Sequence, residues 1–262
     1  MKESQVKYLA GLLDADGCLG FHFTKVEDKW RVYLRLTLVA AESVDKDGKF
    51  IKALPSETGM GRVQTTEYGN GWSRRNDWVV SKWSDQNKLL PRIIKHMVVK
   101  GRHWQWMYEQ AHSLRGQQIT HREKELLVEA SKESRKFSGP VKPKNHPTWA
   151  WIAGYLDGDG SFQNKYNKKK KHQAMRVNAT SHKNDSVGLE LLQKAFGGLI
   201  YQPSPNIMRW QQNLGYANTS FAKKFLSKIV THSRLKKYKI ERLLHNHRQR
   251  LIEKTPTGEE TV

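Results

Sequence analysis

Leu9-Ala10-Gly11-Leu12-Leu13-Asp14-Ala15-Asp16-Gly17 decides how this chain is read, because it returns as Ile152-Ala153-Gly154-Tyr155-Leu156-Asp157-Gly158-Asp159-Gly160. Asp16 and Asp159 stand 143 positions apart. In each copy an apolar helical run ends in Asp-x-Asp-Gly, where glycine is expected to supply the positive φ that commonly closes a helix. The final acid is thereby presented at a helix terminus. Ala10 with Gly11, and Ala153 with Gly154, are small enough for two helices to approach closely. That packing would set Asp16 and Asp159 side by side. Two carboxylates at the negative ends of helix dipoles repel, and a hard divalent cation with oxygen ligands relieves the repulsion. Mg²⁺ fits that donor set best.

The segments downstream of the two copies also match in order: an alternating segment, a helix, a glycine-bearing strand, another strand, then a basic helical run. Arg31-Val32-Tyr33-Leu34-Arg35-Leu36-Thr37-Leu38 alternates strictly, so Val32, Leu34, Leu36 and Leu38 share one face and Arg31, Tyr33, Arg35 and Thr37 the other. In the second half Met175, Val177 and Ala179 interleave with Arg176, Asn178 and Thr180. Met208, Trp210 and Leu214 similarly oppose Arg209, Gln211 and Asn213. One such strand alone reads as a solvated antiparallel face; recurrence with Arg, Asn and Gln points to a surface that recognises something. The halves are expected at 1–116 and 148–262. A charged helix-forming stretch from Gln118 to Lys136 and a breaker from Phe137 to Pro147 fill 117–147.

Composition agrees with a polyanionic partner. The 262 residues carry a formal net charge of +21, spread along the whole length among apolar and aromatic residues. Such a surface steers a polyphosphate and gains by releasing its counterions. The single Cys18 excludes an intrachain disulfide and a cysteine-rich zinc site. No apolar run approaches a membrane span, and Met1-Lys2-Glu3-Ser4 lacks a secretion-signal layout, so no membrane partner and an intracellular location are expected. A calcium-loop reading fails. With each glycine set at loop position 6, Leu12, Tyr155 and Ser43 stand where the first Asp belongs, and Phe23, Tyr166 and Leu54 stand where the bidentate Glu belongs. The third match, Asp45-Lys46-Asp47-Gly48, is best read as a structural turn.

The two nine-residue stretches resemble the signature of the LAGLIDADG homing endonucleases, and the likeness extends over residues 5 to 250. It implies an α+β fold: pseudo-twofold duplicated αββαββα halves, with two antiparallel sheets forming a DNA-binding saddle and the motif helices at the interface. It implies a monomer that cuts both strands of a long, partly asymmetric double-stranded DNA site with Mg²⁺, leaving short 3′ overhangs. Mn²⁺ would substitute, and Ca²⁺ would bind without supporting efficient cleavage. In the family the last acid of each motif binds the metal, which carries over to Asp16 and Asp159. Gly17 and Gly160 offer backbone only. A basic residue near each active site carries over to Lys100 and Lys236. Glu42 and His182 are the nearest matches to the family's water-ordering position and stay outside the catalytic set.

Base readers on the two sheets are expected among His22, Lys25, Arg31, Tyr33, Arg35, Gln64, Arg74, Arg75, Asn76 and Lys82 in the first half. In the second they are expected among Gln163, Asn164, Lys165, Tyr166, Arg176, Asn178, Gln202, Arg209, Gln211 and Asn213. About half would touch only phosphate. The run Lys168-Lys169-Lys170-Lys171 is expected at a hairpin tip, and Trp104, Trp106 and Tyr108 in packing. Two rival readings keep the scaffold: a maturase that binds intron RNA, and a noncatalytic DNA-binding regulator. Retention of both Asp16 and Asp159 favours the nuclease. The location follows the target genome, in a bacterial or phage-infected cytoplasm or an organelle.

Overall fold

The computed structural model describes residues 1–41, 45–67, 75–137, 139–141, 147–167, 172–214 and 219–252. The first half runs α1 (Glu3–Asp16), β1 (Gly17–Val26), β2 (Lys29–Ala41), α2 (Lys49–Thr58), β3 (Arg62–Thr66), β4 (Arg75–Val80), α3 (Trp83–Ile94) and α4 (Gly101–Ser113). β5 (Gln118–Ile119) and α5 (His121–Ser134) come between the halves. The second half repeats the order as α6 (Trp149–Gly158), β6 (Gly160–Asn167), β7 (His172–His182), α7 (Val187–Phe196), β8 (Leu199–Ser204), β9 (Ile207–Asn213), α8 (Thr219–His232) and α9 (Lys237–Ile252). The last helical region of each half is divided in two, where the expected unit had one helix. The division has a cause: between α3 and α4, and between α8 and α9, the chain turns so that its N–H groups reach a buried acid of the motif helix.

Each half holds one antiparallel sheet, in the order β1-β2-β4-β3 with β5 added beside β2, and β6-β7-β9-β8. The alternation read from sequence is realised. Leu34, Leu36, Leu38, Trp78 and Val80 are buried on the helix side of one sheet, and Met175, Val177, Ala179 and Trp210 on that of the other. Each fully buried large apolar side chain of this kind contributes roughly 2–3 kcal/mol. Both helix-side faces join one continuous core around α1 and α6.

Close contact between those helices depends on glycine. A β-carbon on Gly11 would overlap the Trp151 carbonyl oxygen, and one on Gly154 would overlap that of Tyr8. The expected role of Gly17 and Gly160 is different from the one found. Gly17 has φ −77° and ψ 145°, and Gly160 is likewise not at positive φ. The chain leaves each helix straight into a strand, and glycine is needed because a β-carbon there would collide with the carbonyl oxygen of Leu13 or Leu156.

The halves differ at their outer ends. Thr120 and Glu123 form a capping box that starts α5, and Leu127 packs with Val32 and Ile119 over the outer part of the first sheet. Asp45 proves to be a structural turn: its buried carboxylate accepts from the Phe50 and Ile51 N–H groups at 2.8 and 3.0 Å. Among the described residues no helix is long and apolar enough to cross a membrane. The tetralysine run, the linker residues 142–146 and the closing residues 253–262 lie outside the described set.

Candidate active site

The first acid of each motif, absent from the candidates drawn from sequence, organises the site. Asp14, only 2% exposed, accepts from the N–H groups of Val98 (2.6 Å) and Lys100 (2.8 Å) and from the Trp151 indole N–H (2.8 Å). Asp157, 1% exposed, accepts from the Ser233 hydroxyl (2.6 Å), from the N–H groups of Arg234, Leu235 and Lys236, and from the Tyr8 hydroxyl (2.8 Å). Tyr8 and Trp151 occupy matching positions of the repeat. Each buried carboxylate thus holds the turn before its own half's last helix and takes one bond from the other half's motif helix. A signal existed in the sequence, since both acids recur two positions before Asp16 and Asp159.

That turn delivers a lysine to each helix end. The Lys100 ammonium donates to the carbonyl oxygens of Ala15 (2.8 Å), Gly17 (3.0 Å) and Leu13 (3.4 Å). Lys236 donates to Gly160 (2.6 Å), Gly158 (2.7 Å) and Leu156 (3.0 Å). A cation here meets the negative end of the helix dipole and satisfies carbonyls that have no helical donor. Burial lowers the pKa of the Lys236 ammonium, while Asp157, Asp16 and Asp159 oppose that shift.

Asp16 ends α1 and Asp159 caps α6. Asp16 keeps one face open to solvent, yet its carboxylate lies against the end of α6: a β-carbon on Gly158 would stand 3.0 Å from Asp16 Oδ2. The Asp159 carboxyl is pushed up to about 7, first by burial and then by the charge of Asp16, with Asp185 adding to it. Asp16 is raised by burial as well, opposed by Lys236 and then Lys100. For Asp159 the order is Lys100, then Lys236. Each acid therefore feels the other half's lysine more strongly. A cavity of about 210 Å³ opens beside this centre, lined by Gly17, Cys18, Leu19, Lys100, His103, Trp104, Arg135 and Asp185. His103 is held neutral, its pKa lowered to about 4 by burial and then by Arg135. Asp185 and His103 lie outside the sequence-derived candidates; Asp185 sits just beyond β7, close to His182.

Strand register sorts the expected readers. On the first sheet His22, Arg31, Tyr33, Arg35, Gln64 and Arg75 share the face turned away from the helices, and Arg62 joins them. Arg35 donates to Gln64 at 2.8 Å, and Arg75 forms a two-point pair with Asp77. Lys25 pairs with Trp30, whose ring packs on the helix side, so alternation puts Lys25 on that face. Asn76 is buried against Gly48 and accepts from Thr65, so it is no reader. Lys82 lies past the end of β4, directly before α3. Arg74 and Glu42 are outside the described residues.

On the second sheet Gln163, Arg176, Asn178, Arg209, Gln211 and Asn213 share the open face, and Leu199 and Tyr201 add to it. Asn164 faces the helices beside Tyr238 and Arg242. It alternates with Gln163, so both cannot read one surface. Gln202 turns back to the Pro205 carbonyl at its own hairpin tip. Lys165 and Tyr166 stand in β6, with side chains outside the described set. Of the aromatic cluster, Trp104 is buried and Trp106 and Tyr108 pack against the core, as expected.

No protein-family model matches the chain, and no curated protein matches it significantly. Solved structures do. I-GzeII, a LAGLIDADG homing endonuclease in complex with its DNA target, superposes with a TM-score of 0.69 at 15% identity, over 97% of this chain and 93% of that one. The chain has the LAGLIDADG homing-endonuclease fold. I-SmaMI, bound to uncleaved DNA in the presence of calcium ions, matches with a TM-score of 0.67 at 17% identity, covering 96% and 94% of the two chains. The LAGLIDADG meganuclease I-AabMI, bound to uncleaved DNA, gives 0.62 at 15% identity over 94% and 92%. Within the LAGLIDADG fold, Asp16 and Asp159 stand where α1 and α6 meet, between the two sheets.

Proposed function

We propose that this chain is a site-specific, divalent-metal-dependent DNA endonuclease that acts as a monomer and cuts both strands of a long, partly asymmetric site. One observation carries the reading: two unlike sheets with polar open faces flank the point where the two motif helices end together, so that Asp16 Oδ2 lies against Gly158, the residue before Asp159. I-GzeII and I-SmaMI, which share the fold, were solved on DNA, the second in the presence of calcium ions.

The residues fit a metal. Among the described residues no cluster of three or more His, Cys, Asp or Glu could hold one, so Asp16 and Asp159 would hold it together with phosphate and water oxygens. That hard-oxygen set suits Mg²⁺, with Mn²⁺ able to substitute and Ca²⁺ binding without efficient cleavage. When bound, the ion supplies polarisation of the phosphoryl group, activation of attacking water and stabilisation of the leaving 3′ oxygen. The chain's own groups do the rest. Lys100 and Lys236, pinned on backbone oxygens, fix two positive charges next to the acids and raise the local potential for phosphate. The open sheet faces place the duplex, and the unlike halves select a site that is no perfect inverted repeat. Cuts across the minor groove leave short 3′ overhangs.

The test is cleavage of a randomised duplex library by the purified chain in Mg²⁺, with an EDTA control and sequencing of the ends. One long asymmetric site with short 3′ overhangs is the expected result. Asp16→Asn and Asp159→Asn are each expected to abolish double-strand cleavage while sparing DNA binding. Full cleavage by both variants would refute the catalytic assignment.

A further inference from the structure

Three guanidinium or amide atoms on the open face of the second sheet are buried without a hydrogen-bond partner among the described residues: Arg176 Nε, Asn178 Oδ1 and Arg209 Nε. Asn178 is 8% exposed. A buried amide left unpaired is unfavourable in the free protein, and a ligand that supplies the missing group recovers that loss. The position matters as much as the chemistry. Asn178 pairs in register with Ser161, two residues beyond Asp159, and with Gln211. It therefore lies on the sheet end nearest the paired carboxylates.

The first sheet does not repeat this arrangement. Cys18 matches Ser161 in the repeat, and its register partner is Thr37, which in turn pairs with Val79. Where the second half carries an amide between Ser161 and Gln211, the first carries a threonine between a thiol and an isopropyl group. An asparagine amide pairs bidentately with adenine N6 and N7. The Thr37 methyl offers contact to a thymine methyl and no such paired geometry, and its neighbour Val79 is buried.

Resting on the nuclease reading, we infer that base selection beside the cut is polarised: the second sheet demands an adenine under Asn178, and the first tolerates substitution at the matching position. Arg176, two residues before Asn178 on β7, and Arg209, opposite Thr180 on β9, share its face one step to either side and favour guanine there.

The inference is tested on the full chain by binding selection from randomised duplexes in EDTA, with cleavage scored separately in Mg²⁺. In one half-site, replacing a single A·T pair by any other is expected to weaken binding about tenfold or more, the discrimination of one bidentate pair. The position related to it by the pseudo-twofold is expected to vary by less than about threefold. Asn178→Ala should flatten the strict position alone and leave the salt dependence of binding unchanged, which a merely structural asparagine would not do. Thr37→Asn should create an adenine preference at the tolerant position, which also fixes which half-site each sheet covers. Equal strictness at both positions, or an Asn178→Ala profile identical to that of the parent, overturns the inference. Selective binding with this polarity but no cleavage would sink the nuclease reading and leave the inference standing.

Discussion

The Lys236 ammonium donates to the Gly160 carbonyl oxygen at 2.6 Å, and its other two bonds, to Gly158 and Leu156, complete a three-point hold on the end of α6. Lys236→Met removes a cation from a helix C-terminus together with its charge-assisted bonds. It should lower stability by about 1–2 kcal/mol, read as a shift in urea midpoint. Lys236→Arg should not restore it, because a planar fork cannot serve three convergent carbonyls.

Because each acid is influenced more by the lysine of the other half, losing one lysine should not slow both cuts alike. Lys100→Met and Lys236→Met are each expected to make nicked circles accumulate from a supercoiled plasmid carrying the site. The two variants should leave opposite strands intact. Equal slowing of both strands by either variant would contradict the pairing.

Gly11→Ala and Gly154→Ala force a methyl into the backbone of the opposing motif helix, where no side chain can give way. Either should cost about 2–3 kcal/mol, at the upper part of the range for overpacking, measured by chemical denaturation. Cleavage should fall further than stability explains, since separating α1 from α6 also separates Asp16 from Asp159.

Asp14→Ala leaves the Val98 and Lys100 N–H groups and the Trp151 indole without their acceptor, and should destabilise by roughly 3 kcal/mol or more. Trp151→Phe removes one donor and leaves the turn in place, so about 1 kcal/mol is expected. Thermal unfolding of the two variants checks the ranking.

Protonation of Asp159 sets a pH dependence. Its carboxyl rises from an ordinary 3.8 to about 7 in the fold, so the folded state binds the proton more tightly than the unfolded chain. The contribution to stability is complete below the ordinary value and is lost as pH rises through about 7. In EDTA the urea midpoint should therefore fall between about pH 4 and 7, Asp159→Asn should level much of that fall, and Mg²⁺ at about pH 7.5 should raise the midpoint again. A flat profile for the parent chain would show that neither burial nor the charge of Asp16 raises the Asp159 carboxyl in the fold.

The repeat, the two sheets and their alternating faces are legible because period-2 patterning and a duplicated nine-residue stretch survive in the bare sequence. Neighbouring readers are harder. Gln163 with Asn164, and Arg75 with Asn76, are all of the right residue type for base contact, yet adjacent strand residues point to opposite faces. Asn76 and Asn164 consequently turn from the open surface. The roles of Gly17 and Gly160 escape a sequence reading because glycine serves close packing as readily as positive φ, and the two differ only in the folded backbone. Asp185 and His103 are invisible there because the cavity they line is assembled from segments distant in the chain.

The crossed bonds from Tyr8 to Asp157 and from Trp151 to Asp14 bear on how such halves can be recombined. Each half encloses a charge that only the other half completes, so neither is a self-sufficient module even though each has its own sheet. A phenol does in one direction what an indole does in the other. Grafting either half onto a foreign partner should therefore require a hydrogen-bond donor of similar reach at the position of Tyr8 or Trp151 and a glycine where the two motif helices touch, and the open faces of the sheets are free to diverge as the recognised sequence changes.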